Sequence, residues 1–411
     1  MSGRRLFLLL TLLGAALLPL LMASFGPERT WRLWNIPTMR PGFADARTIT
    51  AGAESRRAGF DPLLDNPADP WHRVMNYPRP WQGLFRLGLD QRDTVAVALV
   101  MIAAFLAGLL LFVDRIDRPT AWLMAAALFS PAVLLGIERA NVVLLIFFLC
   151  AGALVVLRRS AVAAALLLTA AGLLMYYPFL GLVCLVRAPR HRCLWLVGLA
   201  VAAGVAYVAL TWRDVMLVAR SIDRGTFLSY GVNVGWMATR QLSGSNTAVV
   251  GVAASSAVLL VGAVVAMVSS ARRGLEPAAA PDPQHLDGFR LGAAIYAGTF
   301  LLGNNWDYRL VFVLFCLPLI VDWTHDRHRA VARAARLTLV ALLASLWMQF
   351  AFRFGRFLPG GGYLLLVLDE SANWLLLGGL LYLLPAAMPD WLRRREHDAR
   401  LAGDALAVRH Q

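Results

Sequence analysis

Leu6-Phe-Leu-Leu-Leu-Thr-Leu-Leu-Gly-Ala-Ala-Leu-Leu-Pro-Leu-Leu-Met-Ala-Ser-Phe25 is twenty residues without a charge. At the rise of an α-helix it covers about 30 Å, the hydrocarbon thickness of a bilayer. Arg4 and Arg5 precede it, as they would in a secretory leader. The apolar run is longer than a usual leader core, so the expectation is an uncleaved first span. Either way, the segment that follows is exported.

Further apolar stretches lie at 93–113, 120–136, 141–157, 160–176, 177–187, 193–211, 248–269, 290–303, 308–321, 335–351 and 371–388. The reading is an all-α polytopic integral membrane protein with about 12 transmembrane helices (10–13). The stretches at 177–187, 290–303 and 308–321 are short, so they are re-entrant or extend by burying flanking residues against neighbours. A composition 59% hydrophobic and only 16% charged agrees, because a soluble fold has no place to hide so much apolar surface.

All 39 basic residues are arginine, against 25 acidic residues, giving a formal charge of +14. They are scattered along span flanks rather than gathered in one stripe, which argues against nucleic acid as a partner. Their placement sets the orientation. With a cytoplasmic amino terminus, segments 1–5, 114–119, 158–159, 187–192, 271–290, 322–336 and 390–411 are internal and hold 21 arginines. The other 18 are spread over nearly twice the length outside. Both termini are then cytoplasmic, in a bacterial inner (plasma) membrane. Residues 1–390 read as one membrane domain, and 391–411, with Arg393-Arg394-Arg395, as a cytoplasmic tail. Cys150, Cys184, Cys193 and Cys316 fall in or beside apolar spans, as buried small hydrophobes rather than a disulfide or zinc framework.

The external face then receives the polar loop 26–92, Glu138–Asn141, Tyr176–Pro178, the 212–247 loop, Asn304–Arg309 and Phe352–Glu370. Charge is costly beside hydrocarbon, so these breaks are candidates for a site as well as solvated turns. The first loop mixes carboxylates (Asp45, Glu54, Asp61, Asp65, Asp69, Asp90) with many aromatics. Rings stack on sugar faces and carboxylates accept hydroxyl protons; the same residues also make an aromatic belt with turn formers. Asp45 reads either as a general base or as the cap of a helix over Asp45–Arg57. The spacing of Asp61, Asp65 and Asp69 is no EF-hand, and a bound metal is the minority reading.

Glu138-Arg139 has almost no loop around it. Arg139 can hold a phosphate while Glu138 orients it, or the two simply close a helix end. In Asn304-Asn305-Trp306-Asp307-Tyr308-Arg309 two amides, a carboxylate, a phenol and a guanidinium crowd six residues. The alternative is a polar turn anchored by its aromatics. No acidic residue or arginine is expected mid-span, which weakens a proton-coupled transporter. Neither a P-loop nor a Gly-x-Ser-x-Gly elbow is present.

At these motifs the chain resembles the GT-C type membrane glycosyltransferases, specifically glycosyltransferase family 87 and its uncharacterised relatives. The resemblance rests on Phe43-Ala-Asp45-Ala-Arg47-Thr48-Ile49, Gly59-Phe60-Asp61-Pro62, Asn76-Tyr77-Pro78, Ser130-Pro131 with Glu138-Arg139-Ala140-Asn141-Val142, Tyr176-Tyr177-Pro178, and Gly303 through Leu310. The ordered set covers most of the chain.

The resemblance implies an enzyme moving a sugar, often mannose, from a polyprenyl-phosphate donor to an envelope glycan or glycolipid on the external face, with inversion and no cofactor. Asp45 then occupies the place of the catalytic base, with Arg139 and Arg309 on the donor phosphate. Glu138, Asn141, Tyr77, Arg79, Asn304, Asn305, Asp307 and Tyr177 shape the pocket. Ala140 and Val143 depart from the family's usual Gly and Asp, and Met175 from a basic residue. Arg139 or Arg309 must cover that missing charge, or the activity has drifted. The rival readings are a lipid-linked-glycan flippase and a non-catalytic relative.

Overall fold

The computed structural model describes residues 1–355, 357 and 360–392; the expected Arg393–Arg395 tail signal lies outside the described residues. The chain is an all-α membrane protein whose described strands are two residue pairs, Ser229–Tyr230 and Asn305–Trp306. Six described helices are long and apolar enough to cross a bilayer: Gly3–Phe25, Gln91–Phe112, Arg190–Leu210, Asn246–Arg272, Arg329–Gly355 and Gly361–Ala387. A seventh crossing results if Arg118–Leu128 and Pro131–Arg139, bent by 50°, form one span. Ser130 causes that break, since its side chain accepts from Val133 N while Pro131 begins the next helix.

The remaining expected spans are shorter. Val143–Leu157 and Ala161–Leu174 fall short of the roughly 20 residues a bilayer requires. Tyr177–Arg187 and Asp307–Phe315 are 3-10 helices, the latter followed by Leu317–Thr324. Their surroundings explain the short length. Val143, Leu144, Ile146, Phe147 and Cys150 are wholly buried, so the Val143–Leu157 helix is solvated by protein instead of lipid. By contrast Leu12, Leu17 and Leu20 on the first helix, and Val258 and Val261 on Asn246–Arg272, are exposed apolar groups suited to acyl chains. All four cysteines are buried and free.

Two boundaries differ from the sequence expectation. The stretch 290–303 is part of a longer helix, Pro283–Leu301, that buries Asp287 and Arg290. The external connection expected over Phe352–Glu370 is largely helical. Asp369 and Glu370 are the ninth and tenth residues of Gly361–Leu383, so acidic side chains do stand well inside an apolar helix.

Polar contacts gather at two ends of the bundle. At one, Arg4 meets Asp114 at 2.7 Å and Arg118 reaches the Met1 carbonyl. There too Gln284 donates to Phe112 O, Arg158 to Gln284, and Arg187 to Asp287. His285 pairs with Asp322, and Trp391 donates to Val186 O. These are the segments that arginine density assigned to a common side. At the other end Asn35 and Gln349 exchange side-chain to main-chain hydrogen bonds at 3.0 Å, Trp81 donates to Leu174 O, and Arg79 holds Asp214. The first loop, the 212–247 loop and Asn304–Arg309 therefore share one end.

The tightest crossing at that end joins the second loop to the Gly303 turn. Ser229 pairs with Trp306 and Tyr230 with Asn305, antiparallel. Val232 N donates to Phe300 O at 2.9 Å. A β-carbon on Gly231, whose φ is +138°, would lie 1.4 Å from Gly303 O. Only glycine permits that backbone approach. Gly231→Ala should cost more than about 3 kcal/mol and lower the unfolding midpoint steeply or prevent recovery of folded protein. Gly262→Ala, at an open helical site, should be neutral or stabilising. Detergent-phase thermal unfolding checks this, and equal midpoints for the two variants would refute the crossing.

Candidate functional site

Ala44–Arg57 is a helix, as expected, but Asp45 does not cap it. Phe43, in the left-handed region at φ +59°, stands at the cap position without a side-chain hydrogen bond. Asp45 lies in the first turn and looks outward to another segment. Its Oδ2 accepts from Asn141 Nδ2 at 2.7 Å, across 96 residues of sequence. The same amide nitrogen donates to Tyr77 OH at 3.2 Å, and Asn141 Oδ1 accepts from Val143 N at 2.9 Å. Thus one 2%-exposed amide ties together the first loop and the end of Pro131–Arg139.

Ala140 sets this direction. It closes Pro131–Arg139 in a left-handed conformation, φ +44°, turning the chain so that Asn141 points back towards Asp45. This is the position where the family resemblance anticipates glycine, and φ gives the reason. Its methyl group is nevertheless fully buried beside Ala46 and Ala98.

Glu138 and Arg139 form an ion pair, Nε to Oε2 3.1 Å, with Glu138 4% exposed. Glu138 Oε1 accepts from Met39 N, and Arg139 donates to Pro37 O, so both also anchor the first loop. Arg139 Nη1 is buried with no hydrogen-bond partner. From the other side comes Tyr308, near enough to Asn141, Asp45, Arg139 and Arg309 to interact electrostatically with each. A side chain at Gly136 would press on Tyr308 Cβ at 3.3 Å. Arg309 donates to Asn305, stacks over the Tyr177 ring at 5.2 Å, and leaves Nε without a partner. The Tyr177 hydroxyl, also buried, has none either.

Electrostatics at Asp45 are balanced. Burial pushes its carboxyl above the usual carboxylate range; the Asn141 hydrogen bond and the charges of Arg139 and Arg73 pull it back, while Asp69 adds to the rise. Burial also raises Tyr77 well above an ordinary phenol, helped by Asp45 and Tyr308. Tyr77 therefore keeps its proton, and its OH can donate to a ligand while accepting from Asn141.

The structure brings together Asp45, Tyr77, Glu138, Arg139, Asn141, Tyr177 and Arg309, with Asn305 joined to them through Arg309, and gives three other candidates different partners. Arg79 is taken up by Asp214, through two 2.6 Å contacts, and by Asp61 at 3.2 Å, so it latches the first loop to the second. Asn305 Nδ2 serves Thr299 O, and Asn304 Nδ2 serves Gly225 O. Asp307 is buried and lies within electrostatic reach of Asp369 and Glu370. Asp61 and Asp69 engage different arginines and Asp65 is exposed, so the three do not converge. Tyr308, Arg73 and Asp69 belong to the site region without having been singled out for it. Only the density of polar residues in their segments marked them.

No protein-family model matches the chain, and searches of curated proteins and of solved structures likewise return no match.

Because the Asn141 amide is shared, Asn141→Ala strands buried groups on two segments and should cost about 1–3 kcal/mol. Asn141→Asp should cost more at neutral pH, since it sets a second carboxylate against Asp45, and should recover as pH falls and one acid regains a proton. Thermal unfolding of both variants between acid and neutral pH tests the order; Asn141→Asp matching wild type at neutral pH would break the assignment.

Proposed function

We propose that the protein is a polyprenyl-phosphate-sugar-dependent glycosyltransferase of GT-C type, related to glycosyltransferase family 87. The observation that carries this reading is the convergence of Asp45, Tyr77, Asn141, Arg139 and Arg309, from three distant segments, at one polar end of an apolar bundle. Its orientation follows the arginine bias, with this end external and both termini cytoplasmic. The short central segments then complete about twelve crossings.

A lipid-linked donor suits a site at the boundary, where its tail remains in hydrocarbon and its phosphate lies among arginines. In the reaction an acceptor hydroxyl oxygen forms the bond to the anomeric carbon as the carbon–oxygen bond to phosphate breaks. The hydroxyl proton passes to Asp45, and polyprenyl phosphate leaves with the electron pair. Arg139 and Arg309 have nitrogens without hydrogen-bond partners, suited to stabilising the charge that develops on the phosphate. Attack opposite the leaving group inverts the centre. Tyr77, Tyr177 and Glu138 suit hydroxyl contacts. No metal or cofactor is needed, and the acceptor is an envelope glycan or glycolipid.

One observation favours a second reading, a lipid-linked-glycan flippase. The buried carboxyls of Asp307 (6% exposed) and Asp369 (4%) interact electrostatically with each other and with Glu370, whose Oε1 has no hydrogen-bond partner. Carboxylates this deep in a membrane helix are a recurrent feature of transport pathways.

Proteoliposomes carrying labelled polyprenyl-phosphate sugars and a lipid-linked glycan acceptor separate the two readings. Asp45→Asn should reduce sugar transfer by about a thousandfold or more without loss of folded protein. The transfer–pH profile should rise through an acid limb lying above the ordinary carboxylate range, because the base must be ionised and its carboxyl is raised. Asn141→Ala should move that limb to higher pH by removing the donor that favours ionised Asp45. Undiminished transfer by Asp45→Asn would defeat the enzyme. Donor flipping that survives Asp45→Asn but is lost in Asp369→Asn would establish the second reading.

A further inference from the structure

Asp45 presents two oxygens, and different parts of the chain attend to each. Oδ2 belongs to Asn141. Oδ1 faces Arg73, whose Nη1 lies 3.8 Å away, within ion-pair range but beyond a hydrogen bond. We infer that Arg73 is a positioning residue that orients Asp45 and stabilises its ionised form, clamped from behind by Asp69. This rests on Asp45 being the base in the proposed transfer.

Arg73 is held on every side. Its Nη2 donates to Asp69 Oδ2 at 3.0 Å and to Ala44 O at 2.6 Å, the carbonyl immediately before Asp45. Its Nε donates to Asp69 Oδ1 at 3.3 Å. The Trp71 ring lies 4.5 Å beneath the guanidinium. Asp69 is itself saturated: it accepts from Trp71 N at 2.9 Å, from Arg73 N at 3.2 Å and from Thr48 Oγ1 at 3.3 Å, and its side chain has no exposure. A clamp so fully bonded has no lone pairs to spare for a ligand, which makes Asp69 a support for Arg73. The terminal nitrogen left over is the one aimed at Asp45.

Charge explains why such a support matters. A base must be ionised, and burial disfavours that form. The charged and titratable groups facing Asp45 are Arg73, Asp69 and Tyr77 from the first loop, Glu138 and Arg139 from Pro131–Arg139, and Tyr308 from Asp307–Phe315. Arg139 is shared with Glu138 and, in the proposed reaction, with the donor phosphate. Of the two arginines that act on Asp45, Arg73 comes from the same loop and is free of the phosphate, so its effect persists through donor binding. Arginine suits the role because its planar fork grips Asp69 through two nitrogens while a third faces Asp45.

Infrared titration of the purified full-length protein reads Asp45 directly, with Asp45→Asn identifying its carboxylic band. Arg73→Gln should raise the Asp45 midpoint by about one pH unit or more, whereas Arg73→Lys, which keeps the charge, should hold it within a few tenths. Thermal unfolding of Arg73→Lys beside wild type verifies a folded comparison. An unmoved midpoint in Arg73→Gln, or an equal shift in both variants, would overturn the inference. Transfer assays separate it from the reading beneath it. If the midpoint moves and the acid limb of transfer follows, both stand. If the midpoint moves while transfer is indifferent, Arg73 still positions Asp45, and Asp45 is not the base.

Discussion

One buried amide sets the geometry of the bundle end that holds the candidate site. Asn141 has a donor nitrogen and an acceptor oxygen in a region with little water to replace a lost partner, so each must be met by protein. Its nitrogen serves Asp45 and Tyr77 and its oxygen serves Val143 N. Breaking any of these leaves a desolvated polar atom, so the three segments are held as a unit. The positions of Glu138 and Arg139 follow, because they share that helix end.

The same economy of polar groups shapes the bundle. Long helices with exposed leucine and valine form the lipid-facing surface, where a helix has to satisfy its own backbone across the full hydrocarbon depth. Short segments such as Val143–Leu157 and Asp307–Phe315 lie mostly among other helices, where neighbours supply contacts and length is not imposed. Interior chain ends can then stop at intermediate depth and offer polar side chains there. Tyr177–Arg187 and Asp307–Phe315 both begin with site residues, Tyr177 in one and Tyr308 and Arg309 in the other. The candidate site thus draws on segments shorter than the lipid-facing helices.

Much of this was legible from residues alone, for a definite reason. Polar side chains that interrupt apolar runs are conspicuous, as Glu138, Arg139, Asn141, Tyr177 and Arg309 are. Asp45 and Tyr77 stood out only as a carboxylate and an aromatic in the polar first loop, Asp45 reading equally as a helix cap. The arginine-bearing segments that share the opposite end were equally readable from flanking charge. What could not be read was direction. Asp307, Tyr308 and Arg309 are consecutive, but a 3-10 helix turns about 120° per residue, so Asp307 feels the charges of Asp369 and Glu370 while Tyr308 feels those of Asp45 and Arg139. Arg79 looked available until the fold brought Asp214 to it from 135 residues away. Asp369 and Glu370 resembled a loop because two acids ordinarily mark one; in the fold they lie in a helix, with Asn373 bonding Asp369 from one turn on. Arg73 gave no signal beyond its charge, since its importance is relational.

The most direct measurement is a double-mutant cycle on residues 45 and 141, using Asp45→Ala, Asn141→Ala and the pair, followed by reversible unfolding in detergent. If the carboxylate and the amide touch, the two losses will fall short of additivity by about 1 kcal/mol or more, the second deletion costing little once the first is made. Strict additivity would mean that these side chains do not meet, and the common site at this end of the bundle would have no physical basis.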